Sequence, residues 1–283
     1  MLNTVSGYSR AMYSNWFWHR SLQLVVDAGE GLPLALGTNV FAPVTVAITH
    51  GHSDHVLGLP GFAGARRFGK GATTKPWTVV YPAGIVAIDT LRATIAGLWR
   101  GVAFPITWTP ILPGGRIALT GTRTLEAFAV THVPPEPALG YRVVEGRRRL
   151  KPEFADLPQA QVEKLARRDG RAALMESFEH VVFAHSGDAM PIAPDLVRGA
   201  DLLVHDATFL DATDRRELIH ATSAEALEVA RSAGVRTLVL SHLSIRYQRP
   251  DALLRLREQI TASGFTGQCF LLDEDRFIDL AVI

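Results

Sequence analysis

The chain has 283 residues, and its 29 Lys and Arg against 28 Asp and Glu leave a formal charge of +1 at pH 7. That balance excludes a global basic field for nucleic acid, while the length suits one large α/β domain or two small ones. Ten histidines accompany a single cysteine. This excludes an internal disulfide framework and a thiolate-rich zinc site, and leaves imidazole as the available metal ligand.

The N-terminal segment lacks an apolar core and a small-residue cleavage site, so no secretory signal is read there. The uncharged run 31–53 is broken by Pro33 and Pro43, which argues for strand and loop and against a membrane span. A soluble, cytoplasmic protein is expected. Trp16 and Trp18 alternate in a short extended segment, where packing into a core is favoured over base stacking. Apolar, β-branched runs predict strands at 22–27, 44–49 and 77–81, then a helix over 84–98. Strands at 124–130 and 139–144 precede a helix over 159–168, with further strands at 180–184 and 201–204. The helix that begins at Ser223 opens on Thr222-Ser-Ala-Glu225, a capping box. A strand at 236–240, a helix over 251–262 behind Pro250, and a strand at 269–272 complete the series. Interleaved strands and helices without a linker or repeat define one α/β domain over 1–283.

One stretch interrupts the rhythm. Residues 147–171 hold eight basic residues (Arg147, Arg148, Arg149, Lys151, Lys164, Arg167, Arg168, Arg171) and four acidic ones. It reads as a solvated loop and helix, or as a surface for a phosphate backbone.

The chemistry centres on His50-Gly-His-Ser-Asp-His55, directly behind an apolar strand. In an extended segment His50 and His52 project to the same side, so both imidazoles reach one ion. Asp54 and His55 follow where the chain turns into a helix, and address a second ion. Burying three imidazoles and a carboxylate without a metal would leave unpaired polar groups. Further ligands are expected at other strand ends, where His132, Asp188 and His242 stand. Gly29 and Gly31 do not make a dinucleotide loop, because Leu34 occupies the third glycine position. Asp27 is read as a hydrogen-bonding buttress of the metal loops. Arg246 is read either as a phosphate contact or as a structural ion pair. His19, His180, His185 and His205 carry no expected role in the chemistry.

The hexapeptide resembles the metal motif of the metallo-β-lactamase superfamily. Asp27-Ala-Gly-Glu-Gly31, Gly58-Leu-Pro-Gly61, Gly140-Tyr-Arg142, Ser186-Gly-Asp188, His205-Asp-Ala-Thr-Phe209, His220-Ala-Thr222 and Ser241-His-Leu-Ser-Ile-Arg-Tyr247 follow in the order of its ribonuclease Z branch. The resemblance implies an αββα sandwich with the site along one edge of the packed sheets. It implies that His50, His52 and His132 hold one zinc, that Asp54, His55 and His242 hold the other, and that Asp188 bridges them. Imidazole and carboxylate suit Zn²⁺, with manganese or iron also compatible. By the same resemblance Asp54 orients the attacking water, and His220 donates a proton to the leaving oxygen. Asp206 stands where the family has a glutamate, and would orient His220 from one methylene farther back.

Two features depart from the family. Ser9 to Trp18 replaces its usual glycine-rich first turn, and the long arm that grips tRNA is missing, the basic insertion 147–180 being read either as a reduced arm or as an unrelated insertion. The implied activity is a dizinc phosphodiesterase acting on RNA, at tRNA 3′ ends, as a homodimer. The alternative is a zinc hydrolase of lactones, carboxylic esters or small cyclic phosphodiesters, since the same ions polarise a carbonyl. A non-catalytic metal scaffold fits poorly with a full set of seven ligands.

Overall fold

The computed structural model describes residues 2–67, 75–100 and 106–281. Its first sheet holds β1 (Val5–Arg10), β2 (Ser14–His19), β3 (Leu24–Val26), β4 (Thr45–Ala47), β5 (Trp77–Pro82) and β6 (Ile106–Ile111), in that spatial order. Strands β1 to β3 are antiparallel and β3 to β6 parallel. The second sheet runs from β7 (Arg116–Ala118) through β8 (Arg123–Ala129), β9 (Leu139–Leu150), β10 (Met175–His185), β11 (Leu203–Asp206), β12 (Thr237–Ser241) and β13 (Gln268–Asp273) to β14 (Arg276–Asp279). Strands β10 to β13 are parallel there and the outer pairs antiparallel.

Alternation gives each sheet an inner and an outer face, and both are buried. Between the sheets, Phe17, Val26, Ala47 and Val80 share a core with Tyr141, Phe183, Val204 and Val239. Outside the first sheet lie α1 (Leu32–Leu36), α2 (Ser53–Val56), α3 (Gly58–Arg67) and α4 (Val86–Leu98). They cover Trp16, Trp18, Val25 and Val46, so the two tryptophans do pack into a core. The excursion between β9 and β10 carries α5 (Pro152–Ala155) and α6 (Gln159–Asp169). Helices α7 (Ser223–Ala233) and α8 (Arg249–Ser263) cover the second sheet around Leu203, Leu238 and Leu271. The architecture is the expected αββα sandwich. Its capping box is formed, with Glu225 N–H donating to Thr222 Oγ1 and Thr222 N–H to Glu225 Oε2 at 2.8 Å.

Helix propensity argues against α3, which contains Pro60 and three glycines. Close packing overrides it: a Cβ on Gly58 would lie 2.1 Å from the Gly29 carbonyl oxygen, and one on Gly64 would lie 2.6 Å from the Trp99 ring. The charged region 147–180 is not an insertion from end to end. Arg147, Arg148 and Arg149 lie on β9, in register with Phe178, Ser177 and Glu176 of β10. Only the part beyond the Lys151 N–H to Leu174 carbonyl bond leaves the sheet. Among the described residues, no helix is long and apolar enough to cross a membrane.

His19 closes the inner core beside Phe183, its ring centroid 5.4 Å away. Burial, reinforced by the charge of Arg123, pushes its pKa down from 6.5 to about 4. Between those values the unfolded chain binds a proton that the folded chain refuses, so stability falls as pH drops from 6.5 to 4. The full effect is about 3 kcal/mol. Urea midpoints at pH 7 and pH 4.5 should therefore differ less for His19→Gln than for the native protein. Equal acid sensitivity would exclude this origin.

Candidate metal centre and active site

Strand β4 delivers the extended segment Ile48 to His52, and His52 caps α2 in an extended conformation. The geometry brings the His50 and His52 rings to 4.6 Å between centroids. One turn of helix then presents Asp54 and His55 beside them. His132 follows β8, and its Nε2 lies 3.2 Å from His52 Nδ1. Asp188 stands on the β10–β11 connection, where its Oδ2 lies 3.8 Å from His50 Nε2, 3.3 Å from His55 Nε2 and 3.1 Å from His242 Nε2. His242 follows β12, with Nε2 3.6 Å from Asp54 Oδ2. All seven predicted ligands thus converge from four strand ends and one short helix. Ligand atoms of His50, His52, His132 and Asp188 lie within 4.8 Å of one another, as do those of Asp54, His55 and His242.

The imidazoles are held with their inner nitrogens free. Thr49 Oγ1 donates to Asp27 Oδ2 at 2.9 Å, so it accepts from His50 Nδ1 at 3.0 Å. His55 Nδ1 donates to Asp27 Oδ2 at 2.8 Å, which makes Asp27 the buttress read from the sequence. His132 Nδ1 donates to the Ile219 carbonyl at 2.9 Å. Thr208 Oγ1 donates to Asp206 Oδ1 at 2.7 Å and therefore accepts from His242 Nδ1 at 2.8 Å. Such outer bonds fix tautomer and ring direction. They leave His50 Nε2 and His242 Nε2 buried without a hydrogen-bond partner. Two orphaned acceptors beside two carboxylates are costly alone, and fit divalent cations.

Electrostatics point the same way. Although burial raises the pKa of each, the surrounding imidazoles hold the Asp54 and Asp188 carboxyls below their usual range. Burial keeps His50 and His132 neutral, the state in which imidazole binds a metal.

Asp206 and His220 form a second unit. His220 Nδ1 donates to Asp206 Oδ2 at 2.7 Å, so the shorter carboxylate reaches its partner. Asp206 is fully buried and also accepts from Ala189 N–H at 2.9 Å and Thr208 N–H at 2.8 Å. Burial lowers the His220 pKa, but the Asp206 charge and hydrogen bond outweigh it and raise it to about 9. The His220 ring stacks on His242, 5.1 Å between centroids and 19° apart, which sets it against the ligand cluster.

The remaining histidines are structural in their contacts. His185 Nδ1 accepts from Gly187 N–H at 2.9 Å and shapes the Asp188 turn. His180 pairs with Asp201 at 2.9 Å, and His205 Nδ1 donates to the Asp206 carbonyl at 2.7 Å. Arg246 Nη1 donates to the Asp214 carbonyl at 2.8 Å, with its guanidinium over the Phe209 ring. Sequence reasoning missed Ser9, Asn15 and Thr208. Only Thr208 carried a signal, as the fourth residue of His205-Asp-Ala-Thr-Phe209. Asn15 Nδ2 donates to Asp54 Oδ2 at 2.9 Å from thirty-nine residues away in the chain.

A family model described as the beta-lactamase superfamily domain matches residues 23–151 and 171–243. Fold and imidazole–carboxylate cluster together define a metal-dependent hydrolase of that superfamily. The ribonuclease Z of Bradyrhizobium sp. (strain ORS 278) is 32% identical over 266 residues, covering 85% of this chain and 86% of that protein. That of Halobacterium salinarum (strain ATCC 29341 / DSM 671 / R1) is 33% identical, covering 82% and 79%. The chain belongs to the ribonuclease Z family. Among solved structures, human tRNase Z, short form, superimposes with a TM-score of 0.65 at 20% identity, covering 98% of this chain and 99% of that one.

Proposed function

We propose that this chain hydrolyses phosphodiester bonds in RNA, at the 3′ ends of tRNA precursors, with two zinc ions. His50, His52 and His132 would hold one ion, Asp54, His55 and His242 the other, and Asp188 would stand between them. Bound there, the cations would supply Lewis-acid stabilisation of charge on the phosphoryl oxygens. Asp54 accepts the proton of the attacking water, and His220 gives one to the leaving oxygen. The observation that carries the reading is the Asp206–His220 pair stacked on the cluster. An alkoxide leaves poorly unprotonated, and a buried carboxylate at 2.7 Å keeps this imidazole oriented and charged.

The end of β9 and the excursion that follows it support an RNA substrate. Arg147 is bonded to Glu145, Arg149 to Glu176 and Arg168 to Asp169. Among the described residues, Arg148, Lys151, Lys164, Arg167 and Arg171 have no ion-pair partner, which leaves them for phosphates. Lys151 and Leu174 are already hydrogen-bonded, so a two-residue Asn-Gly turn can replace 152–173. This variant should raise KM for precursor tRNA about tenfold or more, with a flatter salt dependence. Turnover of bis(p-nitrophenyl) phosphate should stay unchanged.

The function itself is tested with zinc-loaded protein on precursor tRNA and on bis(p-nitrophenyl) phosphate. Cleavage of neither overturns it, and faster turnover of lactones than of either diester would make the chain an esterase instead. Elemental analysis distinguishes zinc from manganese and iron. The same reading places the protein in the cytoplasm as a homodimer, which sedimentation checks.

A further inference from the structure

The β1–β2 hairpin departs from the family's first turn, yet it is wired directly into the ligand cluster. His242 main-chain N–H donates to Ser9 Oγ at 2.7 Å. Ser9 Oγ–H donates to Asn15 Oδ1 at 2.8 Å. Asn15 Nδ2–H then donates to Asp54 Oδ2 at 2.9 Å. The direction of this chain is set at one end, because a main-chain N–H can only donate. Ser9 must therefore accept from His242, and its own proton goes to Asn15 Oδ1. The amide is left to present Nδ2 to the carboxylate. Reversing the amide would set two oxygens against each other at Asp54 and strand the serine proton.

All of these contacts are buried or nearly so: Ser9 is 4% exposed and Asn15 is 7% exposed. Both ends of the chain fall on ligands of one ion. His242 sits in the left-handed region at φ 65°, a conformation that non-glycine residues seldom hold, and its N–H is anchored by Ser9. Asp54 has one oxygen pinned by Asn15. That same oxygen lies 3.4 Å from His55 Nε2 and 3.6 Å from His242 Nε2, so the bond from Asn15 orients the carboxylate toward them. None of the three bonds touches His52 or His132.

We propose that Ser9 and Asn15 are positioning residues for the second ion, fixing Asp54 and His242 through the relay His242 N–H, Ser9, Asn15, Asp54. The proposal rests on the two-ion reading of the site. Residues in such outer positions change metal affinity about 10–100-fold when replaced.

The test is a Co²⁺ titration of metal-free protein, followed in the visible spectrum against a competing chelator. Asn15→Asp keeps the size and packing of the side chain but removes the donor. It should weaken the second equivalent about 10–100-fold and leave the first unchanged, with the metal-free melting temperature preserved. Ser9→Ala should do the same, and Ser9→Thr, which retains the hydroxyl, should bind as the native protein does. Native binding of both equivalents by Asn15→Asp and Ser9→Ala overturns the relay. Equal weakening of both equivalents assigns the hairpin a general structural role and also overturns it. If Asn15→Asp does not fold, the Ser9 pair decides alone. Native protein that takes only one equivalent rejects the two-ion reading itself, a result visible before any variant is made.

Discussion

Asp188→Ala should lose metal and activity together. One carboxylate oxygen lies within 4 Å of His50, His55 and His242, and so faces residues proposed for both ions. Removing one partner from a buried charged cluster costs about 3–5 kcal/mol, a factor of roughly 10²–10⁴ in binding. Asp188→Asn separates charge from space. The amide fills the same volume and lacks the negative charge, so it should bind metal as poorly as the alanine variant. Competition against a chelator measures both, and turnover of bis(p-nitrophenyl) phosphate should fall in proportion to the lost metal. An alanine variant that keeps both equivalents and native turnover would remove Asp188 from the centre.

The proposed ligands that this experiment probes were legible in the sequence for a physical reason. His50, His52, Asp54 and His55 are close in the chain, and their spacing matches the geometry of an extended segment turning into a helix. His132, Asp188 and His242 could be found because β8, β10 and β12 run in the same direction and end together at one edge of the sandwich. Asn15 and Ser9 could not. Their roles depend on contacts made across 39 residues to Asp54 and 233 residues to His242, and no local pattern encodes those. Strand signals failed in a similar way at the sheet margins. Strands β7 and β14, of three and four residues, are only partly buried, so neither shows a run of core residues. Helix α3 was hidden by glycines that serve close approach rather than flexibility. The basic stretch misled in the opposite direction. Composition groups Arg147 to Arg149 with the excursion, whereas pairing with β10 places them in the sheet.

His220→Ala should separate two kinds of substrate. Cleavage of RNA expels an alkoxide, which needs a proton in the transition state, and loss of the donor should slow it about 10²–10⁴-fold. Bis(p-nitrophenyl) phosphate expels a phenolate that is stable without a proton, so its turnover should change little. A failure of the metal site would slow both substrates equally, which makes the ratio the informative quantity. Asp206→Asn extends the argument. Its amide has one acceptor oxygen where the carboxylate has two, so its NH2 must face either Thr208 N–H and Oγ1–H or Ala189 N–H and His220 Nδ1, and the bond that orients the imidazole is weakened or lost. The variant should slow RNA cleavage and, like His220→Ala, spare the aryl diester. In the double variant Asp206→Asn should add nothing on RNA beyond His220→Ala, because residues that act through one another are not additive. Additive losses would show that Asp206 works by another route. The route the structure offers is Thr208, which links Asp206 to His242 through bonds of 2.7 and 2.8 Å, and it would slow both substrates alike.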